Sequence, residues 1–408
     1  MESGIKKGPY AVVTLAYWAF TLTDGALRML VLLYLHQLGR SPLEIAGLFL
    51  FYEFFGVVTN LVGGGLAARF GLRWTLISGL VLQVLALGAL GFLAEDLNLV
   101  WVMGLQSLSG VAKDLTKMSS KSFMKFLVHP EDSGGLLKVV SWLTGSKNTL
   151  KGVGFFVGGA LLGGLGFAWA CWAMALTLVG ILAGASWLLP KAYGKAASKG
   201  SWTGWWTRDK RVLWLSLSRL ALFAARDVWF VLALPLYLTA QLGWSQGRVG
   251  GFLALWVIGY GMVQALAPGW IGRRSGRPGA LGLLAWTLAL WAPLGWLLVH
   301  TAPGALELGI GLGLFGIVFA TCSSLHSYLI LAYSHGDSVA QQVGAYYSAN
   351  ALGRFLGTFL SGWLYQHAAS HQEGMWQALV GAGVLVSLAG LGCWPLWRCE
   401  RGHAAPKA

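Results

Sequence analysis

Charge is what this chain has least of. Only 11% of its 408 residues are Asp, Glu, Lys or Arg, against about 25% in a typical soluble domain. That shortage excludes a body bathed in water on every side. Acids are the scarcer kind, with 15 Asp and Glu against 29 Lys and Arg. Cysteine is scarce as well. Cys171, Cys322, Cys393 and Cys399 show no metal-ligand spacing, and the first two lie in apolar runs. They read as small packing residues, not as disulfides or ligands. No zinc motif, nucleophile elbow or paired His–Asp constellation is present, which argues against an enzyme and against a metal or other cofactor. Met1 to Pro9 is a short polar lead into an apolar run, unlike a cleaved signal.

What the chain does have is apolar length. It is 56% hydrophobic, with mean hydropathy +0.64, Gly 58 and Trp 22. Glycine lets membrane helices approach closely and tryptophan prefers the interfaces, so the composition describes a polytopic membrane protein. The net charge of +14 does not point to nucleic acid. Most basic residues gather in loops, as the positive-inside rule requires. Lipid is therefore the surrounding partner.

Apolar runs of spanning length predict helices over 10–36, 43–66, 74–94, 98–118, 138–162, 166–189, 212–241, 247–268, 279–300, 305–333, 340–366 and 374–397. One set of loops holds Lys6, Lys7, Arg69, Arg73, Lys121, Lys125, the basic stretch from Lys191 to Arg211, Arg273, Arg274, Arg277, Arg398 and Arg401. The other set is poor in base, which places both termini in the cytoplasm. The tail from Arg398 to Ala408 reads as a short disordered end. The longest break, 190–211, is basic and rich in small residues. It reads as a cytoplasmic linker between an N-terminal six-helix bundle (1–189) and a C-terminal one (212–408).

The two halves repeat. Asp24 plus 203 is Asp227, Tyr34 plus 203 is Tyr237, Gly47 plus 204 is Gly251 and Arg69 plus 205 is Arg274. An all-α membrane protein of twelve transmembrane helices in two pseudo-symmetric six-helix bundles resembles the major facilitator superfamily. The turn that begins at Gly64, GGLAARFGLR, also resembles that superfamily's cytoplasmic signature, with Ala68 in the acidic place. A second copy begins at Gly269 with Arg273 in the acidic place. Losing the acid twice weakens a gating salt bridge there. The arginines are expected to meet carbonyls at helix ends or lipid headgroups.

The spans carry charges that the positive-inside rule does not explain. Asp24 and Arg28 lie one turn apart near the middle of the first span. Each unpaired charge there opposes insertion by about 2.5–3.5 kcal/mol. The second span has Glu53 and Asn60, and the fourth has Lys113, Asp114 and Lys117. The fifth has Lys147, Asn148 and Lys151, and the seventh has Arg219, Arg226 and Asp227. The tenth has Thr321, Ser323, Ser324 and His326, and the eleventh has Tyr346, Tyr347, Asn350 and Arg354. In the facilitator arrangement these spans line or flank a central cavity. The third, sixth, ninth and twelfth, expected outside, are nearly free of interior charge.

Several of these groups have plainer readings. Asp24 with Arg28, and Arg226 with Asp227, form pairs that neutralise each other. Lys113 and Lys117 snorkel toward the cytoplasmic interface. Arg219 is an interface or pairing residue, His326 a hydrogen-bonded packing histidine, and Glu53 a structural partner for a nearby cation. Cations still outnumber acids at depth, and that surplus requires an anion.

Seven long runs, YWAFTLTDGALRML (17–30), LFLFYEFFGVVTNLVGG (48–64), SGVAKDLTKMSSKS (109–122), LTGSKNTLKGVGFFVGGALL (143–162), ARDVWFVLALPLYL (225–238), GGFLALWVIGYGMVQALAP (250–268) and ANALGRFLGTFLSGWLYQ (349–366), resemble the ArsJ-type organoarsenical efflux permeases. The resemblance implies export of 1-arseno-3-phosphoglycerate, a small anionic organoarsenical, and with it arsenate resistance. Its functional pathway partner would be glyceraldehyde-3-phosphate dehydrogenase, which makes that compound from arsenate. A monomer is expected.

The cations expected to cradle such a substrate are Arg28, Lys117, Lys147, Lys151, Arg226 and Arg354, with Asn148, Tyr346 and Asn350 for its oxygens. Asp24, Asp227, Glu53 and Asp114 are the candidates to carry a coupling proton. An exchanger of ordinary organic phosphates and a membrane-embedded lipid-modifying enzyme are the alternative readings.

Overall fold

The computed structural model describes residues 7–37, 42–129, 132–189, 209–271, 279–300, 303–335 and 338–404. Among these no strand occurs, and the helices are α1 (Lys7–Gln37), α2 (Pro42–Phe70), α3 (Leu72–Phe92), α4 (Leu99–Leu127), α5 (Ser133–Leu188), α6 (Lys210–Phe230), α7 (Ala233–Ala240), α8 (Gln246–Leu266), α9 (Pro268–Ile271), α10 (Ala280–Ala289), α11 (Trp291–Val299), α12 (Ala305–Tyr333), α13 (Val339–His367) and α14 (His371–Ala404). They make the twelve expected spans. Gly166, at φ 73°, bends α5 into the fifth and sixth. The pairs α6 with α7, α8 with α9, and α10 with α11 each make one span. Of the expected linker, 190–208 lies outside the described residues, as does 272–278 of the second signature turn.

Most spans are apolar enough to cross a bilayer by length and composition alone. The inner helices α4 and α13 are not among them, because they carry the lysines, tyrosines and amides of the interior. The outer helices show lipid-facing side chains instead: Leu85 and Phe92 on α3, Trp169 and Trp187 on the sixth span, and Leu388 and Leu391 on α14.

Glycines set how closely the inner helices pack. A Cβ on Gly154 would lie 2.7 Å from the Leu22 carbonyl, so α1 and the fifth span touch backbone to backbone. A Cβ on Gly357 would lie 2.7 Å from the Ala224 carbonyl, joining α6 to α13 in the same way. Gly154 and Gly357 are 203 positions apart, the offset that also relates Asp24 to Asp227. The repeat is therefore one of packing as well as of sequence.

Two further crossings join the halves. On α2 and α13, a Cβ on Gly64 would meet the Ala340 carbonyl at 2.9 Å, and one on Gly344 the Asn60 carbonyl at 2.6 Å. On α5 and α8, a Cβ on Gly145 would meet the Gly261 carbonyl at 2.5 Å. Ser348 also donates to the Val57 carbonyl at 2.9 Å. All four helices meet along the halves nearer the membrane face where α1 begins. The α5–α8 contact continues past mid-span, where a Cβ on Gly152 would lie 3.0 Å from the Ala254 carbonyl.

Three expectations about boundaries are corrected. The fourth span does not stop at 118; α4 runs on to Leu127. Its serines are not loop residues, since Ser119 bonds the Leu115 carbonyl at 2.7 Å and Thr75 of α3 at 2.6 Å. The tail is helical to Ala404 rather than disordered. Glu400 accepts from the Ala280 amide at 2.8 Å and from the Tyr333 hydroxyl at 2.9 Å, which anchors it. The turn after the second span is a single residue, Gly71 at φ 95°, where only glycine sits without strain. There Arg73 donates to the Ser186 carbonyl near the end of α5, and Ala68, in the acidic place, is buried. Cys171, Cys322 and Cys393 are buried and unbridged.

Candidate functional site

The interior charges converge between the halves, on α1, α4, α5, α6 and α13. The α4 cluster comes first. Asp114 is 1% exposed, and its carboxylate takes Lys117 on one oxygen and Lys113, at 3.4 Å, on the other. Gly56 on α2 leaves the room: a Cβ there would lie 2.8 Å from Asp114 Oδ2. So Lys113 and Lys117 do not snorkel outward as the sequence suggested. A buried carboxylate one and three residues away holds them inward.

On α6, Asp227 is fully buried and serves two guanidiniums. Arg226 reaches Oδ1 through Nε at 2.6 Å and Nη2 at 2.5 Å, and Arg354 of α13 donates to Oδ2 at 3.1 Å. Arg226 also lies over Phe223 and Phe319. The equivalent acid of the first half, Asp24, meets Arg28 at 3.8 Å. Both expected pairs are present, and the second has recruited a third member.

Four interior cations have no carboxylate within 4.0 Å among the described residues. They are Lys147 and Lys151 on the fifth span, Lys121 on α4 and Arg219 on α6. Lys147 and Lys151 lie within electrostatic reach of one another, of Asp24 and of Arg354, so α5 faces the same space as α1 and α13. Lys121 and Arg219 were misplaced by sequence reading. Lys121, expected in a cytoplasmic loop, is 4% exposed with its ammonium 4.7 Å from the Tyr347 ring centre. Arg219, expected at an interface or in an ion pair, is 3% exposed. Its partners are neutral: Asn350 Oδ1 at 2.9 Å, Ser323 Oγ at 3.1 Å, and the faces of Phe223 and Tyr346.

A chain of amides and hydroxyls links these groups across the halves. Lys147 donates to Asn148 Oδ1 at 3.3 Å, and Asn148 donates to Gln264 Oε1 at 2.6 Å. Gln264 then donates to Ser323 Oγ at 3.1 Å, where Arg219 also donates. Gln264 was missed from the sequence, although a lone glutamine inside the apolar run 250–268 was the signal. Asn148 and Asn350 thus brace cations and are already hydrogen-bonded. The Tyr346 hydroxyl is buried with no hydrogen-bond partner among the described residues. His326 is not the hydrogen-bonded packing histidine expected, since neither of its buried ring nitrogens has a partner there. The Glu53 side chain lies outside the described residues.

Among the described residues the sum is lopsided. Asp24, Asp114 and Asp227 face Arg28, Lys113, Lys117, Lys121, Lys147, Lys151, Arg219, Arg226 and Arg354. Such a site attracts a small anion with more than one charge. Arginine forks grip an oxyanion through two donors, and lysines reach it as movable point charges.

Comparison with known proteins fixes the architecture. No family model and no curated protein matches the chain. Among solved structures it superposes on the human organic anion transporter TETRAN with TM-score 0.70 and 17% identity, over 93% of this chain and 99% of that one. A bacterial homologue of the iron transporter ferroportin, in an outward-facing state, gives TM-score 0.71 and 16% identity over 95% and 99%. The fucose transporter of E. coli, in its outward conformation, gives 0.71 and 14% over 94% and 98%. The fold is the major facilitator fold. At these identities the likeness speaks for the fold and for nothing finer, and the resemblance to arsenical efflux permeases finds no support in it. The interior charges described above lie on α1, α4, the fifth span, α6 and α13, and none of them on the third, sixth, ninth or twelfth span.

Proposed function

We propose that this chain is a secondary active exporter of a small, multiply charged organic anion, and that the anion is 1-arseno-3-phosphoglycerate. The observation that carries the reading is the set of four interior cations, Lys121, Lys147, Lys151 and Arg219, that meet no carboxylate among the described residues. A buried charge without a counter-ion opposes folding by several kcal/mol. An anion arriving from solution removes that penalty, so the site selects its cargo by sign. The sequence runs resembling organoarsenical permeases supply the finer identity, with glyceraldehyde-3-phosphate dehydrogenase as the upstream source. The substrate presents a phosphate at one end and an acyl arsenate at the other, which suits cations drawn from five helices.

In this reading the chain sits in a bacterial inner membrane with both termini cytoplasmic. The glycine crossings then close the cytoplasmic side, and the cradle of Arg28, Lys147, Lys151, Arg226 and Arg354 opens outward, the state in which cargo leaves. Asp24 and Asp227 are the carriers of a coupling proton. When the substrate engages Arg28 or Arg354, the acid loses part of its counter-charge and takes a proton more readily.

The test uses everted membrane vesicles with the dehydrogenase, arsenate and glyceraldehyde 3-phosphate in the bath. The wild type should accumulate arsenic, and a protonophore should abolish the accumulation. Arg354→Gln and Lys151→Gln should each reduce it at least about tenfold. Unchanged uptake in both variants removes the cradle. Because arsenate and phosphate groups carry like charge, nothing at the site discriminates them by sign. An exchanger of ordinary organic phosphates is therefore the second reading, and counterflow of 3-phosphoglycerate without arsenic would establish it.

A further inference from the structure

Lys121 and Arg219 lie deeper than the cradle. Arg219 precedes Arg226 by seven positions on α6, about 10 Å along the helix, and Lys121 follows Lys117 by four on α4, about 6 Å. Because α6 leaves the cytoplasmic face and α4 arrives at it, both steps lead toward the closed crossings. The two cations come from opposite halves of the molecule. Between them stand two adjacent tyrosines of α13, whose rings meet edge to face at 4.9 Å. Lys121 rests on Tyr347 at 4.7 Å and Arg219 on Tyr346 at 5.5 Å. The lysine is within electrostatic reach of Arg219, Lys117 and Lys147.

A cation on an aromatic face gains roughly 0.5–2 kcal/mol, and the hydrogen bonds of Arg219 to Asn350 and Ser323 are to neutral groups, so neither charge has a counter-ion among the described residues. Polar atoms nearby are also left over, among them the Tyr346 hydroxyl and both ring nitrogens of His326, whose ring lies 6.5 Å from that of Tyr346. Both residues are fully buried. A hydroxyl and an imidazole N–H are donors suited to an oxyanion.

We propose that Lys121 and Arg219, with Tyr346 and His326, form a second anion station below the cradle. It receives the phosphate or carboxylate end of the cargo when the crossings part toward the cytoplasm. Cargo entering from the cytoplasm meets this station first and passes by way of Lys147 to the outer cradle. The inference rests on the anion-transport reading above.

Counterflow of radiolabelled 3-phosphoglycerate in everted and in right-side-out vesicles tests it, with the arsenylated compound as second probe. Lys121→Gln and Arg219→Gln should each raise KM at the cytoplasmic face about tenfold, the loss of one charge-assisted contact, and leave KM at the outer face within about twofold. Arg219→Lys, which keeps the charge, should recover most of the loss. Tyr346→Phe deletes only an unbonded hydroxyl and so preserves the fold. It should raise the cytoplasmic KM about threefold and the outer KM not at all. KM values that do not move at the cytoplasmic face, or that rise equally at both, overturn the station. A wild-type protein that carries neither probe removes the anion reading itself.

Discussion

The crossing of α2 and α13 gives the sharpest test of how the halves are held. A Cβ added at Gly344 would sit 2.6 Å from the Asn60 carbonyl oxygen and 2.9 Å from the Gly64 Cα. Both atoms belong to helix backbone and have no rotamer to yield. Ordinary contact begins near 3.4 Å, so Gly344→Ala must push α2 and α13 apart by roughly 0.8 Å. Overpacking of this size costs about 1–3 kcal/mol. In the reading proposed above the crossing is a cytoplasmic closure, so the strain exists only while it is closed. It therefore shifts the balance between closed and open by about 5- to 150-fold. A single cysteine at Ser348, beside the crossing and 4% exposed, reports the shift. In a background without the native cysteines, its labelling by an impermeant maleimide from the cytoplasmic face should accelerate by that factor. Two controls separate opening from damage. Gly65→Ala meets nothing within 4 Å and should leave labelling unchanged. Gly357→Ala meets the Ala224 carbonyl at 2.7 Å within one half, so it should lower thermal stability without speeding labelling. If Gly344→Ala behaves like Gly357→Ala, the crossing is ordinary packing and not a closure.

Three other outcomes follow from the site. Asp227→Asn strands Arg226 and Arg354 without their carboxylate and should cost about 3–5 kcal/mol. It would appear as a lower melting temperature in detergent, partly restored by adding Arg354→Gln. Gln264→Leu cuts the amide chain between Asn148 and Ser323 and should cost about 1–3 kcal/mol; a melting temperature equal to that of the wild type would show the chain to be idle. Glu400→Ala removes the partners of Tyr333 and the Ala280 amide and should lower the melting temperature by about 1–3 kcal/mol equivalent, with vesicle transport unchanged.

How far the sequence could be read depended on what marked each feature. The spans and the repeat were legible because apolar length and recurring Asp, Tyr and Gly leave a trace that neighbours cannot hide. The pairs Asp24–Arg28 and Arg226–Asp227 were legible from spacing. Lys121 was not. The stretch KMSSKS looks like a loop by polarity, yet its serines bond backward along α4 and across to α3, so the helix carries the lysine inward. Arg219 was placed by its distance from the end of the span, which says nothing about which face it takes. Gln264 and Glu400 act through partners 116 and 120 positions away in sequence, and no local pattern announces such a partner.

The polarity of α4 and α13 has a consequence for how the protein is made. Neither helix is apolar enough to count as a span by composition alone, and such helices depend on their neighbours for insertion. The chain solves this in order of synthesis. Asp114 emerges together with its two lysines, and Asp227 is already in place when Arg354 arrives from the ribosome. Arg354 then meets a carboxylate laid down before it, so insertion of the eleventh helix is expected to weaken when Asp227 of the seventh is replaced.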